Sequence, residues 1–330
     1  MKACFKQIRT GSGPDIWTET FHTHLKERGV ESSVQFFPKY YEMTPQLLKI
    51  IDKHVDCDVI QSNTRDGFVF KQERTPLVVR ATLNVHEHGF AEFKTPLQRL
   101  VHPLWKIYEG KSIEAADEVV YVSKYKMNSY QRTYGTDKGR IIYNGVDTSF
   151  FQPMDVEKGE YEGKTVLLFS GNFTKRKGSD ILLEVMRELG DDYVLLCAGL
   201  REHIRRPERN IISLGRVGRE HIRHYYNLAD IFFFPSRLEG LSLSTLEAMA
   251  CGLPVVTSNA TSFPELIDDG RGGYLCNPDN IGEFKERIVS LAEDESVRER
   301  MGDHNRARAV KEFNMDNMVG EYIELYKKLI

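Results

Sequence analysis

Two glutamates, Glu239 and Glu247, stand eight residues apart on either side of a turn that contains glycine and serine. An apolar run at residues 231–235 precedes this turn, and a second apolar segment at residues 248–256 follows it. The order is typical of a buried strand, a polar turn, a short helix and another buried strand. Such a turn offers backbone N–H groups to a phosphate and carboxylates to sugar hydroxyls, so it predicts a sugar-nucleotide site.

The same residues also fit a purely structural role. Ser244 and Glu247 match a capping box, in which Ser244 caps the helix and Glu247 reaches back to its backbone. Gly252 would then stop the helix, and Glu239 would be a residue of a surface loop. Spacing alone favours this interpretation, because S-x-x-E sequences are common. A match over a longer span is needed to overturn it.

The bulk composition is that of an ordinary globular chain. Its 330 residues are 41% hydrophobic and 28% charged, and they are enough for two domains. A net charge of −3 does not suggest a nucleic-acid partner. No apolar run approaches the roughly 18 residues of a membrane-spanning helix, and the first residues lack the apolar core of a signal peptide.

The five cysteines are dispersed and show no CxxC spacing. This pattern predicts reduced thiols and argues against a zinc site. We therefore expect a cytoplasmic protein, with peripheral contact at the inner face of the membrane left open.

Alternating strand and helix patterns predict two α/β units in tandem, each built on a parallel sheet. In the first unit, strands are predicted at residues 1–8, 34–37, 55–60, 77–81, 118–122 and 141–145. In the second unit, they are predicted at residues 165–169, 194–197, 211–214 and 231–235. The main helices are predicted at residues 16–28, 93–111, 180–189 and 221–228, with tail helices from about residue 281. Ligands of such sheets lie beyond the carboxyl ends of the strands.

Four blocks of the sequence resemble the retaining glycosyltransferases of family 4. They are residues 116–123 (ADEVVYVS), residues 141–150 (IIYNGVDTSF), the loop from residue 168 to Lys177-Gly178, and the region 228–256, which residues 264–265 and 272–275 continue. Any one block is modest evidence, but four in the right order form a specific match that covers nearly the whole chain.

The resemblance implies the GT-B fold, an α/β architecture of two Rossmann-like domains that face a central cleft. The N-terminal acceptor-side domain would comprise residues 1–150, followed by a linker at 151–163. The nucleotide-sugar-binding domain would comprise residues 164–313. The last segment, 314–330, would form a helix that crosses back to the N-terminal domain.

The resemblance also assigns roles in the turn. Glu239 matches the glutamate that holds the donor sugar, and Glu247 matches the one that holds the ribose hydroxyls. Backbone N–H groups would reach the sugar and phosphate from Gly240, Leu241, Ser242, Leu243 and Ser244. Ser242 replaces a glycine that is usual in the family, so we expect a narrower turn. Arg216 and Val217 lie where the family packs the nucleobase, although they fit the end of a loop equally well.

Members of this family need no bound metal, so we expect no metal and no cofactor. The leaving diphosphate would be neutralised by Lys and Arg side chains, backbone N–H groups and a helix N-terminus. Lys177 matches the phosphate-binding lysine. Asn172 stands where an arginine usually follows the glycine of the strand, and either Lys175 or Arg176 could supply the missing charge.

The first domain offers two further matches. Gly11 and Gly13 match the paired-glycine loop that approaches the diphosphate, although glycine turns are common and the signal is weak alone. A catalytic-side histidine usually follows the strand that begins at residue 76. Two registers are open here, one placing Asn84 and the other His86 at that position, and we assign the role to His86.

The helix predicted at residues 93–111 has two interpretations. Lys94, Arg99, Lys106 and Lys111 beside Trp105 are compatible with a helix lying on a membrane surface. A buried face beside the acceptor site is the simpler account, and it is the one that we favour.

The function implied by the resemblance is transfer of a sugar, with retention of anomeric configuration, from a nucleotide sugar to a hydroxyl group. A UDP-sugar is favoured as donor by its frequency in the family, and the acceptor is a glycan, a lipid-linked molecule or a small molecule. A nucleotide-sugar epimerase of the same fold and a non-catalytic nucleotide-sugar-binding subunit remain alternatives. The donor sugar, the acceptor and the oligomeric state are left open.

Overall fold

A computed structural model describes residues 1–11, 13–52, 56–199 and 208–330. These residues form two compact units. The first comprises Met1–Tyr143 together with Asp316–Ile330, and the second comprises Asn144–Met315. Each unit contains one six-stranded parallel sheet, as the alternation of strand and helix patterns predicts.

The first sheet has the strand order β2-β1-β3-β4-β5-β6. Its strands are β1 (Lys2–Ile8), β2 (Glu31–Phe37), β3 (Val59–Asn63), β4 (Leu77–Ala81), β5 (Glu118–Tyr121) and β6 (Arg140–Ile141). The helices between them are α1 (Gly13–Glu27), α2 (Leu48–Ile51), α3 (Pro96–Ala115) and α4 (Lys124–Tyr134). Short 3-10 turns lie at Lys39–Met43, Pro45–Leu47, Gly67–Val69 and Phe90–Phe93.

The limits of β1, β4 and β5 agree with the sequence patterns to within one residue. Strand β2 begins earlier than predicted, at Glu31, and β3 begins later, at Val59. The polar residues Gln61 and Ser62 continue this strand in buried positions. They are tolerated there because the Tyr326 hydroxyl donates a hydrogen bond to Gln61 and the Ser62 hydroxyl donates one to Asp66. Val55, the first residue of the predicted strand, lies outside the described residues.

Helix α3 also differs from its prediction. Thr95 caps it, and Thr95 and Gln98 form a reciprocal capping box. The sequence predicts that the apolar residues of this helix face the core, but Leu97 and Leu100 are exposed. The buried face instead consists of His102, Tyr108, Glu109, Ser112 and Ile113.

A disulfide joins Cys4 of β1 to Cys57, which precedes β3. The prediction of five reduced thiols is therefore wrong. The sequence conceals this pairing because the cysteines are 53 residues apart, whereas β1 and β3 are neighbours in the sheet. The other three cysteines, Cys197, Cys251 and Cys276, are buried free thiols.

The second sheet has the strand order β12-β11-β10-β7-β8-β9. Its strands are β7 (Thr165–Ser170), β8 (Tyr193–Ala198), β9 (Ile211–Gly215), β10 (Ile231–Phe234), β11 (Val255–Ser258) and β12 (Gly273–Cys276). The helices are α5 (Ser179–Leu189), α6 (Arg219–Leu228), α7 (Leu243–Ala250), α8 (Phe263–Leu266), α9 (Ile281–Glu293) and α10 (Glu295–Glu312), with 3-10 turns at Gly159–Tyr161 and Lys175–Lys177. The strand order reverses between β7 and β10, and this switch point is where open α/β sheets bind ligands.

The last helix, α11 (Met315–Leu329), supplies residues to the first unit. The Tyr322 ring packs against Trp17 and Phe21 of α1, with ring centroids 5.8 and 4.8 Å apart. Trp17 also lies under the Arg80 guanidinium at 3.6 Å. Among the described residues, no helix is long and apolar enough to cross a membrane.

Candidate functional site

Two turns meet at the switch point of the second sheet. The 3-10 turn Lys175–Lys177 follows β7, and the turn containing Glu239 follows β10, which pairs with β7. Gly178 makes the close approach possible, because it has a φ of +80° and a Cβ there would lie 2.1 Å from the Pro235 carbonyl oxygen. No other residue type fits this position without moving the backbone.

Arg237 fastens these two turns together. Its backbone N–H donates to the Arg176 carbonyl at 2.9 Å, and its guanidinium donates to the Lys175 carbonyl at 2.9 Å. The same guanidinium binds both carboxylate oxygens of Asp180, at 2.7 and 3.0 Å. A bidentate pair of this kind fixes orientation as well as position, so the cations of the first turn are held against the second.

The buried Glu239 carboxylate, whose residue is 8% exposed, contacts two cations and one hydroxyl group. Its Oε1 lies 2.5 Å from the Lys177 ammonium, 2.8 Å from the Ser236 hydroxyl and 3.6 Å from the Arg176 guanidinium. Burial acts to raise the pKa of this carboxyl, but Lys177 and Arg176 outweigh it and hold the pKa below its usual value. Burial lowers the pKa of Lys177, while Glu239 opposes that change.

The structure distinguishes Lys175 from Arg176, the two residues that could supply the positive charge missing at Asn172. The Arg176 guanidinium donates to the Leu238 carbonyl at 2.5 Å and lies beside Glu239. The Lys175 side chain is exposed. Asn172 is also exposed and follows Gly171 at the end of β7. Arg176 is therefore the residue of this turn, besides Lys177, whose charge faces Glu239.

Thr261, whose backbone is strained, accepts a hydrogen bond from the backbone of Glu239. Thr261 has a φ of +52°, the left-handed region that a β-branched residue rarely occupies. Its hydroxyl accepts the Glu239 backbone N–H at 3.3 Å. Strain of this kind persists only where the surrounding structure enforces it, and it clusters at functional sites.

Helix α7 begins at Leu243, and its N-cap is Ser242 rather than Ser244. The Ser242 hydroxyl accepts the Thr245 backbone N–H at 3.2 Å. Ser244 and Glu247 therefore do not form the capping box that was the alternative interpretation of this stretch. Within the described residues, the amides of Leu243 and Ser244 have no acceptor, so the positive end of α7 can receive an anion.

Glu247 makes its contact across the unit rather than back to its own helix. The Tyr226 hydroxyl of α6 donates to Glu247 Oε2 at 2.8 Å, and it also hydrogen-bonds Ser170 at the end of β7. Burial raises the pKa of Glu247 to about 7, while Tyr226 and Arg219 act to lower it. The carboxyl is therefore poised to change its charge near neutral pH.

The remaining predicted donor-site positions lie at the ends of neighbouring strands. Arg216 is exposed and Val217 is partly exposed, and both follow β9. Gly199 donates its N–H to the Gly215 carbonyl at 2.7 Å, and a Cβ on Gly199 would lie 2.4 Å from the Gly171 carbonyl oxygen. Close backbone packing thus holds the ends of β7, β8 and β9 together.

In the glycine loop of the first unit, backbone amides donate hydrogen bonds to Asp15, a residue in the first turn of α1. The Gly11 amide donates to Asp15 at 2.7 Å, and the Thr10 amide donates to the same carboxylate at 3.0 Å. In this conformation the Gly11 N–H is not available to a phosphate. Gly13 is the first residue of α1, and Ser12 between the two glycines lies outside the described residues.

His86 and Asn84 have different surroundings. Asn84 is fully buried, and its amide group donates to the hydroxyls of Ser129 and Thr133 at 3.0 and 2.8 Å. Its carbonyl accepts the His86 backbone N–H, so Asn84 has a structural role. His86 Nε2 instead lies 3.8 Å from the buried Glu109 carboxylate, and burial lowers the pKa of His86 to about 3.

A group of buried polar side chains surrounds His86. The ring of His102 lies 6.0 Å from that of His86 and stacks on Trp105 at 4.7 Å. The ring nitrogen of Trp105 and both ring nitrogens of His102 are buried and have no hydrogen-bond partner among the residues that the structure describes. The Tyr134 hydroxyl donates to Glu109 at 2.6 Å, and burial raises the pKa of Glu109 to about 7.

The sequence reasoning did not identify Tyr226, Arg237 or Thr261 as site residues. Tyr226 carries a signal of its own, because it repeats the buried position of Ile222 one turn along α6. The other two have no local signature, since their roles depend on a partner in another segment.

Two family models match the chain. One, described as glycosyl transferases group 1, matches residues 151–308, and the other, glycosyltransferase family 4, matches residues 11–150. The chain belongs to the family 4 glycosyltransferases. A curated relative of this glycosyltransferase is the alpha-maltose-1-phosphate synthase of Mycolicibacterium smegmatis, which is 30% identical over 253 residues, or 67% of this chain and 65% of that enzyme.

Solved structures show that this glycosyltransferase has the GT-B fold. Sucrose-phosphate synthase from Thermosynechococcus elongatus superimposes with a TM-score of 0.85 at 18% identity, over 100% of this chain and 99% of that one. Anabaena HepE in complex with UDP-glucose superimposes with a TM-score of 0.81 at 16% identity, over 99% and 100% of the two chains.

Proposed function

We propose that the protein transfers a sugar from a nucleotide-sugar donor, with a UDP-sugar favoured, to a hydroxyl of a glycan, lipid-linked or small-molecule acceptor. The anomeric configuration is retained, and no metal takes part. The observation that carries this proposal is the meeting of Lys177, Arg176 and Glu239 at the switch point of the second sheet. It puts cations for a diphosphate beside a carboxylate for sugar hydroxyls.

In the proposed reaction, the bond between the anomeric carbon and the diphosphate oxygen breaks. The acceptor oxygen bonds to the same face of that carbon, and its proton passes to an oxygen of the departing diphosphate. Lys177, Arg176 and the amides at the start of α7 would stabilise the charge that develops on the leaving group. Glu239 would hold the donor sugar, and Glu247 would hold the ribose hydroxyls.

The comparisons support the donor class. Both the sucrose-phosphate synthase and the alpha-maltose-1-phosphate synthase are named for products of glycosyl transfer, and the HepE structure contains UDP-glucose. The cations of the site support independence from metal, because Lys177 and Arg176 supply the positive charge that a metal would otherwise provide.

The test is release of free nucleoside diphosphate from UDP-, GDP-, ADP- and dTDP-sugars, with and without candidate acceptors. Glu239→Ala should abolish the release that wild type shows with one donor. Glu184→Ala is the matched control, because it removes an exposed glutamate of α5 in the same unit. Nuclear magnetic resonance of the product then reports the anomeric configuration, and inversion would contradict the proposed course.

Two outcomes would replace the proposal. Tight donor binding in calorimetry without turnover with any acceptor would favour the non-catalytic subunit, which Asn172 in place of arginine keeps open. Conversion of the donor into a second nucleotide sugar, without release of the diphosphate, would favour an epimerase. Addition of a chelator should leave the rate unchanged, and a loss of rate would contradict independence from metal.

A further inference from the structure

We propose that the first unit docks on an anionic lipid bilayer through one apolar and basic surface. This surface, here called the α2–α3 face, is made by residues 39–51 and by the outer side of α3. The inference goes beyond the proposed function and does not rest on it, because vesicle binding is measured without donor or acceptor.

The α2–α3 face concentrates the exposed apolar side chains of the described residues. Thirteen large apolar side chains are exposed in the described parts of the chain, and eight of them belong to this face. Ile50, Leu100 and Leu97 are 84%, 78% and 70% exposed. Scattered single apolar residues need no explanation, but a concentration of them on one surface marks an interaction site.

The two parts of the face are adjacent in the fold. The Tyr108 hydroxyl of α3 donates to the Met43 carbonyl at 3.2 Å. Arg65 also contacts both parts of the face. Its guanidinium pairs with Glu42 of the first part at 3.1 Å and lies 4.6 Å from the ring centre of Trp105 in α3. Both parts cover the same side of the sheet, since α2 and α3 contribute to one core cluster with β3, β4 and β5.

The exposed apolar residues of α3 form a single stripe. Leu97, Leu100 and Ile107 are spaced by three and seven residues, which puts them on one side of a helix. Tyr108, Glu109 and Ile113 face the core instead. Trp105, which lies among the basic residues in the membrane interpretation of this helix, stacks on His102 and is only partly exposed. The stripe is therefore apolar surface that the core does not use.

Cations accompany the apolar side chains. Lys39 and Lys49 are exposed on the first part of the face, and Arg99, Lys106 and Lys111 are exposed on α3. No ion pair involves any of these five in the part of the chain that the structure describes. Two of the neighbouring acids are neutralised within the unit, since Glu42 pairs with Arg65 and Asp52 pairs with Lys6. Glu114 of α3 is also exposed and takes part in no ion pair among the described residues. The five cations outnumber this one acid, so the face carries net positive charge.

This combination favours a bilayer over a second copy of the chain. A two-fold dimer would bring the same patch from both copies together, and their unpaired cations would repel each other. A bilayer with anionic lipids accommodates both features, because aliphatic side chains enter the interface while Lys and Arg contact the headgroups. The exposed apolar side chains of α3 are aliphatic, and Tyr40 is the single aromatic among the eight exposed apolar residues of the face. The face therefore lacks the row of aromatic side chains on which successive nucleic-acid bases stack.

The test is flotation of the full-length protein with vesicles of phosphatidylcholine alone and of phosphatidylcholine with phosphatidylglycerol. We expect binding to the anionic vesicles that weakens as salt is added. The double variant Arg99→Glu/Lys106→Glu should reduce the partition coefficient at least tenfold, and Leu100→Glu/Ile107→Glu should do the same. These residues are exposed, so circular dichroism melts should match wild type.

The matched control is Lys26→Glu/Lys328→Glu, which makes the same change of charge on the same unit. Lys26 and Lys328 belong to α1 and α11, which cover the opposite side of the sheet, because Phe5 of β1 faces α1 while Ile8 faces the α2–α3 side. Equal vesicle binding by the control and by Arg99→Glu/Lys106→Glu would overturn the proposal. So would wild-type binding no stronger to anionic than to neutral vesicles, or a dimer that Leu100→Glu/Ile107→Glu dissociates without any vesicle binding.

Discussion

The Lys177 ammonium and the Glu239 carboxylate lie 2.5 Å apart, between two turns that follow neighbouring strands. Both side chains are largely buried, so each charge depends on the other. A diphosphate that arrives beside Lys177 would compete with Glu239 for the ammonium, which would free the carboxylate for sugar hydroxyls. The ion pair thus holds both groups charged before the donor binds.

Lys177→Met should lower kcat/KM for donor turnover by about a hundredfold to a thousandfold, because it removes one preorganised positive charge from the proposed binding site of the leaving diphosphate. Lys175→Met is the matched control, since it removes an exposed lysine from the same turn and should have little effect. Steady-state rates of diphosphate release measure both. Equal losses in the two variants would show that the turn contributes only general positive charge.

Glu247 should make donor affinity depend on pH. Because burial raises its pKa to about 7, the carboxylate that we propose as the acceptor of ribose hydrogen bonds forms as the pH rises through that value, and donor affinity should rise with it. Tyr226→Phe removes a hydrogen bond that lowers this pKa, so the midpoint should move to higher pH. Calorimetry with an intact UDP-sugar between pH 6 and 8.5 measures both effects.

Glu247→Gln provides the control for that experiment. It should bind the donor more weakly and without the pH dependence, since no group titrates at that position. A pH profile that is identical in wild type and Glu247→Gln would assign the titration to another group.

Gly178→Ala should destabilise the second unit and reduce donor turnover, because the new Cβ would meet the Pro235 carbonyl oxygen and displace the turn that carries Lys177. Gly135→Ala is a control with a similar left-handed backbone, φ +65° and ψ 30°, and with no atom within 4 Å of the added Cβ. Both variants pay about 1–2 kcal/mol for the left-handed conformation. Urea denaturation and turnover should therefore separate the two, and equal behaviour would show that the turn relaxes without cost.

Glu109→Gln should change how stability depends on pH. Burial raises the pKa of Glu109 to about 7, above its ordinary value of 4.5. The unfolded chain therefore releases this proton first, and wild type loses stability as the pH rises from about 4.5 to about 7. Relative to wild type, the variant should gain up to about 3 kcal/mol across that window, since Gln does not ionise.

Thermal melts of the two proteins between pH 4.5 and 8 measure this difference. Burial holds the pKa of His86 at about 3 and that of His102 at about 4. Both rings therefore stay largely neutral in the folded state across this range, and the difference between the two proteins reports on Glu109. A gap in melting temperature that stays constant with pH would show that Glu109 is already ionised at the acidic end.

The sequence anticipates those parts of the fold that local patterns encode. The limits of β4 agree with the prediction because apolar residues and turn signals define them locally. The motifs also singled out Glu239 and Lys177, and the structure brings these two side chains together. The Tyr226 contact to Glu247 and the Cys4–Cys57 bond join segments whose proximity only the folded sheets create. The buried face of α3 was predicted wrongly because its sequence pattern is inverted. His102 and Glu109 are polar but buried, whereas Leu97 and Leu100 are apolar but exposed.

The return of α11 to the first unit has a consequence for folding during synthesis. Tyr322 packs against Trp17 and Phe21, and Tyr326 packs against Tyr322. Both tyrosines nevertheless leave the ribosome after the whole of Asn144–Met315. The second unit is contiguous and can finish folding as soon as it emerges. The first unit begins earlier and finishes later, so its α1 surface stays uncovered for the time needed to make about 170 further residues. Nascent chains arrested before α11 should therefore expose Trp17 to a chaperone or a protease, whereas the second unit should already resist digestion.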